Sequence, residues 1–292
     1  MRIHAIQTGT VAIRPRQREG VGHGRRRQLN MLLDREWTEP LPIYAYAIEH
    51  AEGVIVVDAG ETARTSEPGY FPRWHPFYRL AVRMWVAPEE EIGPQLLGLG
   101  IAPRDVRRVV ITHLHTDHAG GLRHFAHNEI LVSRAELAHA SGRRGRLGGY
   151  PNNRWPRWFD PTVVDLERAP YGPFPESFPL TGAGDVRIVP LPGHTPGHVG
   201  VVVEDGDHAV LLAGDASYTQ ELMLRGVVDG PSPDEAVTRL THERIRAFAA
   251  QTPTVYAVAH DPETAARLAE REVVSLAGAA TSATAAASPS PA

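Results

Sequence analysis

Short apolar runs rich in valine and isoleucine recur along the chain, and glycine, proline or aspartate separates them. This pattern is typical of β-strands, because β-branched side chains pack well on a pleated surface and turn residues end each run. The predicted strands are Ile3–Gln7, Ile43–Ile48, Val54–Val57, Val109–Thr112, Ile130–Ser133, Val186–Pro190, Val199–Glu204, Ala209–Ala213 and Thr254–Ala259. A near-helical spacing of apolar residues predicts helices elsewhere. The predicted helices are Pro88–Leu97, Arg134–Ser141 and Pro233–Ala250.

The order of these elements predicts the fold class. The early strands come in hairpin-like pairs and the later ones alternate with helices, so we expect two sheets with helices on their outer faces. This is an α/β (α+β) arrangement, and residues 1–274 are predicted to form it as a single domain. Residues 275–292 are dominated by Ala, Ser, Thr and Pro, and this tail is predicted to be disordered.

Two aromatic segments, residues 62–85 and 142–179, lie between the predicted elements. Neither shows the pattern of a regular element, and long loops in a compact domain are usually functional or disordered. Their aromatic content argues against disorder. We therefore interpret both segments as insert loops that form the walls of a substrate pocket. The alternative is that they cover the edges of the core.

Composition narrows the classes of function. The apolar fraction of 42% and the charged fraction of 22% fit a soluble globular protein, and the net charge of -4 argues against nucleic-acid binding. The absence of cysteine excludes thiolate metal ligands and a cysteine nucleophile. No apolar run reaches the ~18 residues of a membrane span or forms a signal peptide. We therefore expect a cytoplasmic protein without a membrane or nucleic-acid partner.

The most informative stretch begins at the end of the predicted strand Val109–Thr112. His113, His115, Asp117 and His118 place four candidate metal ligands within six residues. In an extended chain residues i and i+2 point the same way, so His113 and His115 can bind one cation. After the turn, Asp117 and His118 can reach a neighbouring position. Burying so many polar groups without a cation would be costly, so the sequence predicts a metal site.

Three further candidate ligands stand at the ends of later predicted strands: His194, Asp215 and His260. Side chains at the ends of separate strands can converge on one edge of a sheet and form a rigid site. Five histidines and two aspartates, with no thiolate, suit zinc first, and iron, manganese or cobalt as well. His198 is expected to stabilise its turn or to support a ligand without binding metal itself, and Asp58 to orient a ligand histidine.

The motifs HLHTDH (113–118), GHTPGH (193–198) and GDASY (214–218), with the final strand-terminal His260, resemble the metallo-β-lactamase superfamily over roughly residues 3–270. The resemblance implies a four-layer αββα sandwich that carries two divalent cations. It implies that the first cation is held by His113, His115 and His194. It implies that the second is held by Asp117, His118 and His260, and that Asp215 bridges the two.

The run from Asp215 to Thr219 is similar to the N-acyl homoserine lactonases, the quorum-quenching branch, in which a tyrosine three residues after the bridging aspartate points into the site. The resemblance implies that a hydroxide bridging the cations opens a lactone ring. Tyr218 would stabilise the oxyanion, and Asp117 would give a proton to the departing alkoxide. The expected partner is a small lactone or ester with a hydrophobic substituent.

Other functions suit the same residues. An organophosphate triester hydrolase or a thioesterase of the hydroxyacylglutathione type would use nearly the same ligands. A mononuclear iron dioxygenase on the same fold would use fewer of them. A non-catalytic binding module would be expected to have lost a ligand, and all seven are present. A homodimer is compatible with the sequence, which also leaves the native metal and the acyl-chain preference open.

Overall fold

The computed structural model describes residues 1–166 and 169–276, and there the chain forms two stacked β-sheets with helices outside. The strands of the first sheet are β1 (Arg2–Ile13), β2 (Leu41–Glu49), β3 (Ile55–Val57), β4 (Val82–Trp85), β5 (Arg108–Ile111), β6 (Glu129–Ser133) and β7 (Thr162–Val164). Their spatial order is β4-β1-β2-β3-β5-β6-β7. The strands of the second sheet are β8 (Phe178–Pro179), β9 (Val186–Pro190), β10 (Val199–Asp205), β11 (His208–Leu212) and β12 (Thr254–Ala257). Their spatial order is β12-β11-β10-β9-β8.

Helices connect these strands. They are α1 (Pro15–Arg18), α2 (Gly24–Leu33), α3 (Pro76–Leu80), α4 (Ile92–Gly98), α5 (Thr116–Ala119), α6 (Arg134–Ala140), α7 (Gly142–Leu147), α8 (Gln220–Arg225), α9 (Glu235–Gln251) and α10 (Thr264–Glu270). In the described part of the chain, none of them combines the length and the apolar character that crossing a bilayer requires.

The inner faces of the two sheets pack against each other. Tyr46 and Ile48 of β2 and Val110 of β5 belong to one buried cluster with Val201 of β10 and Leu212 of β11. Side chains alternate between the two faces of a strand, so every second residue of each strand enters this central layer. The sandwich therefore derives its stability mainly from apolar area buried between the sheets.

The outer faces of the sheets are covered by helices. On the first sheet Val109 packs in a cluster with Leu96 of α4. On the second sheet Leu211 packs with Ile245 and Phe248 of α9. Strands that are buried on both faces read as continuous apolar runs, which explains the Val- and Ile-rich pattern of the sequence. The four-layer αββα fold predicted from the sequence is thus confirmed.

Strand direction brings several loops to one edge of the sandwich. Strands β3, β5 and β6 run parallel in the first sheet, and β11 and β12 run parallel in the second. The two sheets are joined there by backbone hydrogen bonds, since Val199 N–H donates to Thr112 O and Tyr44 N–H donates to Ala259 O, each at 3.0 Å. The loops that follow these strands therefore face a common region.

The structure differs from the sequence-based expectation in the two aromatic segments. Residues 62–85 contain α3 and β4, and residues 142–179 contain α7, β7 and β8. The prediction that these segments lack regular structure was wrong for those parts. Elements of two to six residues are too short to show a hydrophobic period. In the tail predicted to be disordered, residues 277–292 lie outside the described residues.

We expect Leu212→Ala to lower the free energy of unfolding by about 2–5 kcal/mol, because a side chain fully buried between the sheets leaves a cavity. Leu240→Ala, on a face of α9 where Leu240 is 44% exposed, should change it by less than about 0.5 kcal/mol. Urea unfolding followed by circular dichroism at one fixed metal concentration compares the two variants. Equal losses would contradict the packing described here.

Candidate metal centre

The turn after β5 carries four of the seven candidate ligands. The chain leaves β5 at Ile111, and the backbone of His115 is still extended before α5 begins at Thr116. His113 and His115 therefore point to the same side, with His113 Nε2 and His115 Nδ1 2.9 Å apart. The single helical turn of α5 then carries Asp117 and His118, which belong to neighbouring groups of candidate ligands.

A first group of ring nitrogens forms where the loop after β9 meets this turn. His194 Nε2 lies 3.0 Å from His115 Nδ1. His113, His115 and His194 each offer one nitrogen, and these atoms lie within 4.8 Å of one another. Three converging imidazoles are a common ligand set for a zinc ion.

A second group forms on the other side of Asp215. Asp117 Oδ2 lies 3.3 Å from His260 Nε2, and His118 completes the group of Asp117, His118 and His260. The carboxylate of Asp215 stands between the two groups. Its Oδ2 is 3.5 Å from His194 Nε2, whereas its Oδ1 is 3.2 Å from His118 Nε2 and 3.4 Å from His260 Nε2. This placement is that of a carboxylate able to bridge two cations.

The residues present fit a pair of divalent cations. His118 Nε2 and Asp215 Oδ1 are both buried, and neither has a hydrogen-bond partner among the described residues, although the two atoms are 3.2 Å apart. Buried polar atoms are normally paired, so atoms that converge without hydrogen-bond geometry indicate ligands for a common ion. Imidazole nitrogen and carboxylate oxygen are the donors that zinc and similar cations accept.

The electrostatics of the second group favour positive charge. Burial would lower the pKa of His118, but Asp215, Asp58 and Asp117 outweigh it and raise this pKa well above its ordinary value. For His260, burial is likewise outweighed by Asp215 and Asp117, and its pKa rises to about 10. Metal binding at these two rings is therefore expected to release protons.

In the first group, His113 and His115 offer neutral imidazoles, whereas the charge of Asp229 outweighs burial and raises the pKa of His194. Burial is the largest cause that lowers the pKa of His113, followed by the charges of His118 and His115. Burial and then His194 lower the pKa of His115 to about 3. An imidazole must be unprotonated to bind a metal, so these two rings need lose no proton at neutral pH.

Asp58 fixes the ring of His118. Its carboxylate accepts hydrogen bonds from Thr112 N–H at 2.7 Å, Thr112 Oγ1 at 2.9 Å and His118 Nδ1 at 2.7 Å. Its backbone is left-handed, with φ of 62°, which for a residue other than glycine costs about 1–3 kcal/mol. The three hydrogen bonds offset that strain. They agree with the expectation that Asp58 orients a ligand histidine.

Two other ligand rings are oriented by groups that the sequence analysis did not identify. His194 Nδ1 donates to Asp229 Oδ2 at 2.6 Å, and His260 Nδ1 donates to the carbonyl oxygen of Pro42 at 2.8 Å. Burial would raise the pKa of Asp229, but the charge of His194 outweighs it and the pKa is lowered. Such partners fix which ring nitrogen faces the metal.

Glu136 connects the turn after β5 with the loop after β9, and both carry candidate ligands. This fully buried carboxylate accepts from Leu114 N–H at 2.9 Å and from Thr195 Oγ1 at 2.6 Å. A side chain on Gly197 would collide with the backbone of Glu136, so only glycine lets the GHTPGH loop approach this closely. Burial is the main cause that raises the pKa of Glu136. The sequence Ser133-x-x-Glu136 resembles a helix capping box, which conceals this role.

His198 acts on the backbone of the loop after β11. Its Nε2 accepts a hydrogen bond from Asp215 N–H at 3.0 Å, so His198 supports a candidate ligand in another loop. Gly214 has φ of 50°, and a side chain there would press on Thr112 and on the His198 ring. Glycine at position 214 therefore lets the chain turn tightly just before Asp215, next to the other candidate ligands.

A cavity of about 400 Å³ opens beside the two groups of ligands. Its polar floor contains His115, Asp117, His194, Asp215 and His260. Its apolar wall includes Val11, Ile13, Met31, Leu32, Phe77, Val82 and Met84. A mostly apolar cleft with a few converging polar groups is the usual form of a small-molecule site.

Tyr218 lies at the boundary between the floor and the wall of this cavity. It is 3% exposed, and its ring stacks on that of His260 with centroids 5.6 Å apart. Gln17 Nε2 donates to its hydroxyl oxygen at 3.1 Å. Burial, and then the charges of Asp215 and Asp229, raise the pKa of Tyr218 well above its ordinary value. The hydroxyl therefore keeps its proton at neutral pH.

The aromatic segments contribute less to the cavity than the sequence suggested. From residues 62–85, the part that lines it is His75–Tyr78 with Val82 and Met84. From residues 142–179, Leu147, Gly148 and Gly149 line it, whereas Trp155 and Phe159 pack against the core of the first sheet. Much of the wall instead comes from β1, α1 and α2, to which the sequence analysis gave no role.

All seven candidate ligands are brought to one site, and Tyr218 lies beside them. Asp229, Glu136 and Gln17 were missed. Asp229 and Gln17 lie in no motif, and their partners are 35 and 201 residues away in the chain. Only the three-dimensional fold places them together.

Comparison with known families gives one match. The chain matches the family described as the metallo-beta-lactamase superfamily over residues 38–260. A probable metallo-hydrolase of Mycobacterium tuberculosis is 33% identical over 190 residues, which are 63% of this chain and 57% of that protein. The match thus spans less than two thirds of that relative. An N-acyl homoserine lactonase of Azorhizobium caulinodans is 27% identical over 234 residues, which are 76% of this chain and 83% of that protein.

Solved structures of the same fold are also similar. One is an N-acyl homoserine lactone hydrolase with the product N-hexanoyl-L-homoserine bound at its catalytic metal centre. It superposes with a TM-score of 0.70 at 22% identity, over 89% of this chain and 93% of that one. At this level of identity the likeness establishes a shared fold.

Asp229→Asn is expected to weaken metal binding about 10–100-fold, because an uncharged amide holds the His194 ring less firmly. Metal retention during titration with a chelator measures the change. Asp234→Asn is the matched control, since Asp234 caps α9 through Ala236 and Val237 N–H and asparagine caps a helix equally well. Equal retention by the two variants would exclude a role for Asp229 in holding the ligand.

Proposed function

Since the chain belongs to the metallo-beta-lactamase superfamily, we propose that it is a metal-dependent hydrolase that opens the lactone ring of N-acyl homoserine lactones. One observation carries the proposal. Tyr218, Asp117 and Asp215 line a single cavity that also has an apolar wall. A compact polar head group with an acyl tail matches such a cavity. The lactonases among the relatives support the choice of substrate.

The cofactors we propose are two divalent cations, with zinc the first choice. His113, His115 and His194 would hold one, and Asp117, His118 and His260 the other, with Asp215 shared. Cations in such a site polarise a carbonyl oxygen and lower the pKa of water toward neutrality.

Tyr218 would stabilise the charge that develops on the lactone carbonyl oxygen. Its raised pKa keeps the phenol protonated, so it can donate a hydrogen bond and cannot act as a base. Its ring is held against His260, and its hydroxyl oxygen already accepts from Gln17, so the donor is positioned before substrate arrives. A donor fixed in advance stabilises an oxyanion without reorganisation during the reaction.

Asp117 would transfer a proton within the site. Burial would raise its pKa, but His118 and His260 outweigh it, and the pKa falls to about 2. The carboxylate is therefore ionised at neutral pH. A proton that it passes to the ring oxygen must first come from the attacking water, which leaves a hydroxy acid as the product. The acid then releases one proton to solvent for each ring opened.

Tyr218→Phe is expected to lower kcat for hexanoyl homoserine lactone about 100–1000-fold, because one oxyanion donor is lost. Metal content should stay at the wild-type value, since Tyr218 is not among the grouped ligands. Proton release followed with a pH indicator gives the rate, and elemental analysis gives the metal content. Tyr171→Phe is the control, because it removes a hydroxyl that bonds Glu204 and does not line the cavity.

The same assay separates the substrate classes. Unchanged kcat in Tyr218→Phe would remove the oxyanion role. Two metals per chain with fast hydrolysis of an aryl phosphotriester or a thioester, and none of lactones, would keep the metal-dependent hydrolase and overturn the lactone. One iron per chain with oxygen uptake would overturn hydrolysis itself.

Met31→Trp is expected to slow the opening of decanoyl homoserine lactone about tenfold, because a larger side chain overfills the apolar wall. The rate for butanoyl homoserine lactone should change less than about twofold, since a short chain need not reach α2. Leu33→Trp is the control, on the same helix but 63% exposed. Equal slowing of both substrates would place the acyl chain elsewhere.

A further inference from the structure

Gln17 is a buried polar residue at the cavity, and its only part in the reaction just described is its hydrogen bond to Tyr218. It lies on α1, is 4% exposed and lines the cavity beside Tyr218. Its Nε2 donates to the Tyr218 hydroxyl oxygen at 3.1 Å, and no other side chain among the described residues hydrogen-bonds to that hydroxyl. The orientation of this one amide therefore decides what the hydroxyl proton can do.

The amide could in principle be reversed, and the burial of its atoms decides between the two orientations. Gln17 Oε1 is buried and has no partner among the described residues. If the amide were reversed, its two N–H groups would occupy that unpartnered position. Buried donors without partners are rarer than under-satisfied carbonyl oxygens, so the orientation with Nε2 toward Tyr218 is the favoured one.

The backbone around Gln17 is fixed by the loop that also orients a ligand. Gly230 N–H donates to Gln17 O at 2.8 Å, and Gly20 N–H donates to Val228 O at 3.0 Å. Asp229 lies between these two anchors and accepts from His194. The loop of residues 228–230 therefore locks Gln17 and His194 to one another. The main chain from which the Gln17 side chain extends toward Tyr218 is therefore held by this loop.

We propose that Gln17 is a positioning residue that occupies the acceptor side of the Tyr218 hydroxyl and so directs its proton into the cavity. This role rests on the proposed function, because it matters to the rate only if Tyr218 donates to the substrate. The amide nitrogen can donate and cannot accept, so the hydroxyl proton is left for an oxygen of the substrate. The geometry thus assigns the direction of a hydrogen bond, and not a contact with substrate.

Gln17→Glu reverses the bond, because an ionised carboxylate can only accept and takes the Tyr218 proton. We expect kcat to fall about tenfold or more, toward the value of Tyr218→Phe, with KM changed less than about threefold. Gln17→Met removes the donor without offering an acceptor, so its kcat should lie between those of wild type and Gln17→Glu. In a Tyr218→Phe background each Gln17 change should alter kcat by less than about twofold.

Gln28→Glu is the matched control. Gln28 lines the same cavity, and its amide donates to Pro231 O rather than to Tyr218. Its effect measures the added charge alone and should multiply with that of Tyr218→Phe. The positioning role is wrong if the decrease in kcat of the Gln17→Glu/Tyr218→Phe double variant equals the product of the two single decreases. It is also wrong if Gln17→Glu raises KM without lowering kcat.

A spectroscopic readout separates this inference from the substrate assignment. The Raman ring doublet of tyrosine reports whether the hydroxyl donates or accepts a hydrogen bond. Subtracting the spectrum of the Tyr218→Phe variant isolates the signal of Tyr218. Gln17→Glu should shift the isolated signal toward that of a donating hydroxyl, whereas Gln28→Glu should leave it as in wild type. An unshifted signal in folded Gln17→Glu would overturn the inference. A shifted signal with no lactone opening by wild type would overturn only the proposed substrate.

Discussion

The carboxylate of Asp215, held between two groups of imidazoles, is the constraint on which the rest of the structure depends. Burying an anion is costly unless positive charge surrounds it. Its Oδ1 has no hydrogen-bond partner of good geometry among the described residues, and only its backbone N–H is held, by His198. The compensation must come from protons on His118 and His260, or from cations in their place. The fold therefore has to keep candidate ligands from four separate loops within a few ångströms.

The sandwich meets this demand by joining the loops to one another with hydrogen bonds. The loop after β5 is joined to the second sheet by the hydrogen bond from Val199 N–H to Thr112 O. The loops after β11 and β12 are joined by the hydrogen bond from Ala259 N–H to Gly214 O. Glu136 joins the turn after β5 to the loop of His194 through Leu114 and Thr195. Layers of apolar side chains on both faces of each sheet prevent the strands from moving apart. The candidate ligands are thus held rigidly by the packing of the sheets on which their loops stand.

The sequence was sufficient for those features that repeat locally or that combine several ligand-type residues in a short stretch. Strands buried on both faces show long Val- and Ile-rich runs, so the predicted strands all lie on observed ones within two residues at most ends, although β1 extends to Ile13. The HLHTDH stretch could be recognised because four candidate ligands fall in six residues. Short elements such as α3 and β4 were missed because tertiary contacts, and not a periodic pattern, stabilise them.

Groups that orient the ligands were the harder part, and the reason is physical. A carboxylate such as Asp229 acts through one hydrogen bond to a ring 35 residues away, and any aspartate in a turn looks the same in sequence. The role of Gln17 is harder still to predict from sequence, because its amide hydrogen-bonds to the Tyr218 hydroxyl, 201 residues away in the chain. Asp58 could be anticipated because it follows a predicted strand, where side chains reach the same edge as the ligands.

The polar floor and the apolar wall of the cavity are built on elements that differ in rigidity, and this difference affects specificity. The ligands stand at the ends of strands that are buried on both faces, where a change of one methylene is felt throughout the core. The apolar wall combines Val11 and Ile13 of β1 with residues of α2, α3 and β4, which are four to ten residues long and carry exposed side chains such as Leu33 and Trp85. Substitutions in the helices α2 and α3 can reshape the wall without straining the sheets. The preference for a substituent can therefore change while the polar floor and its chemistry stay fixed, with Gln17 the residue that belongs to both.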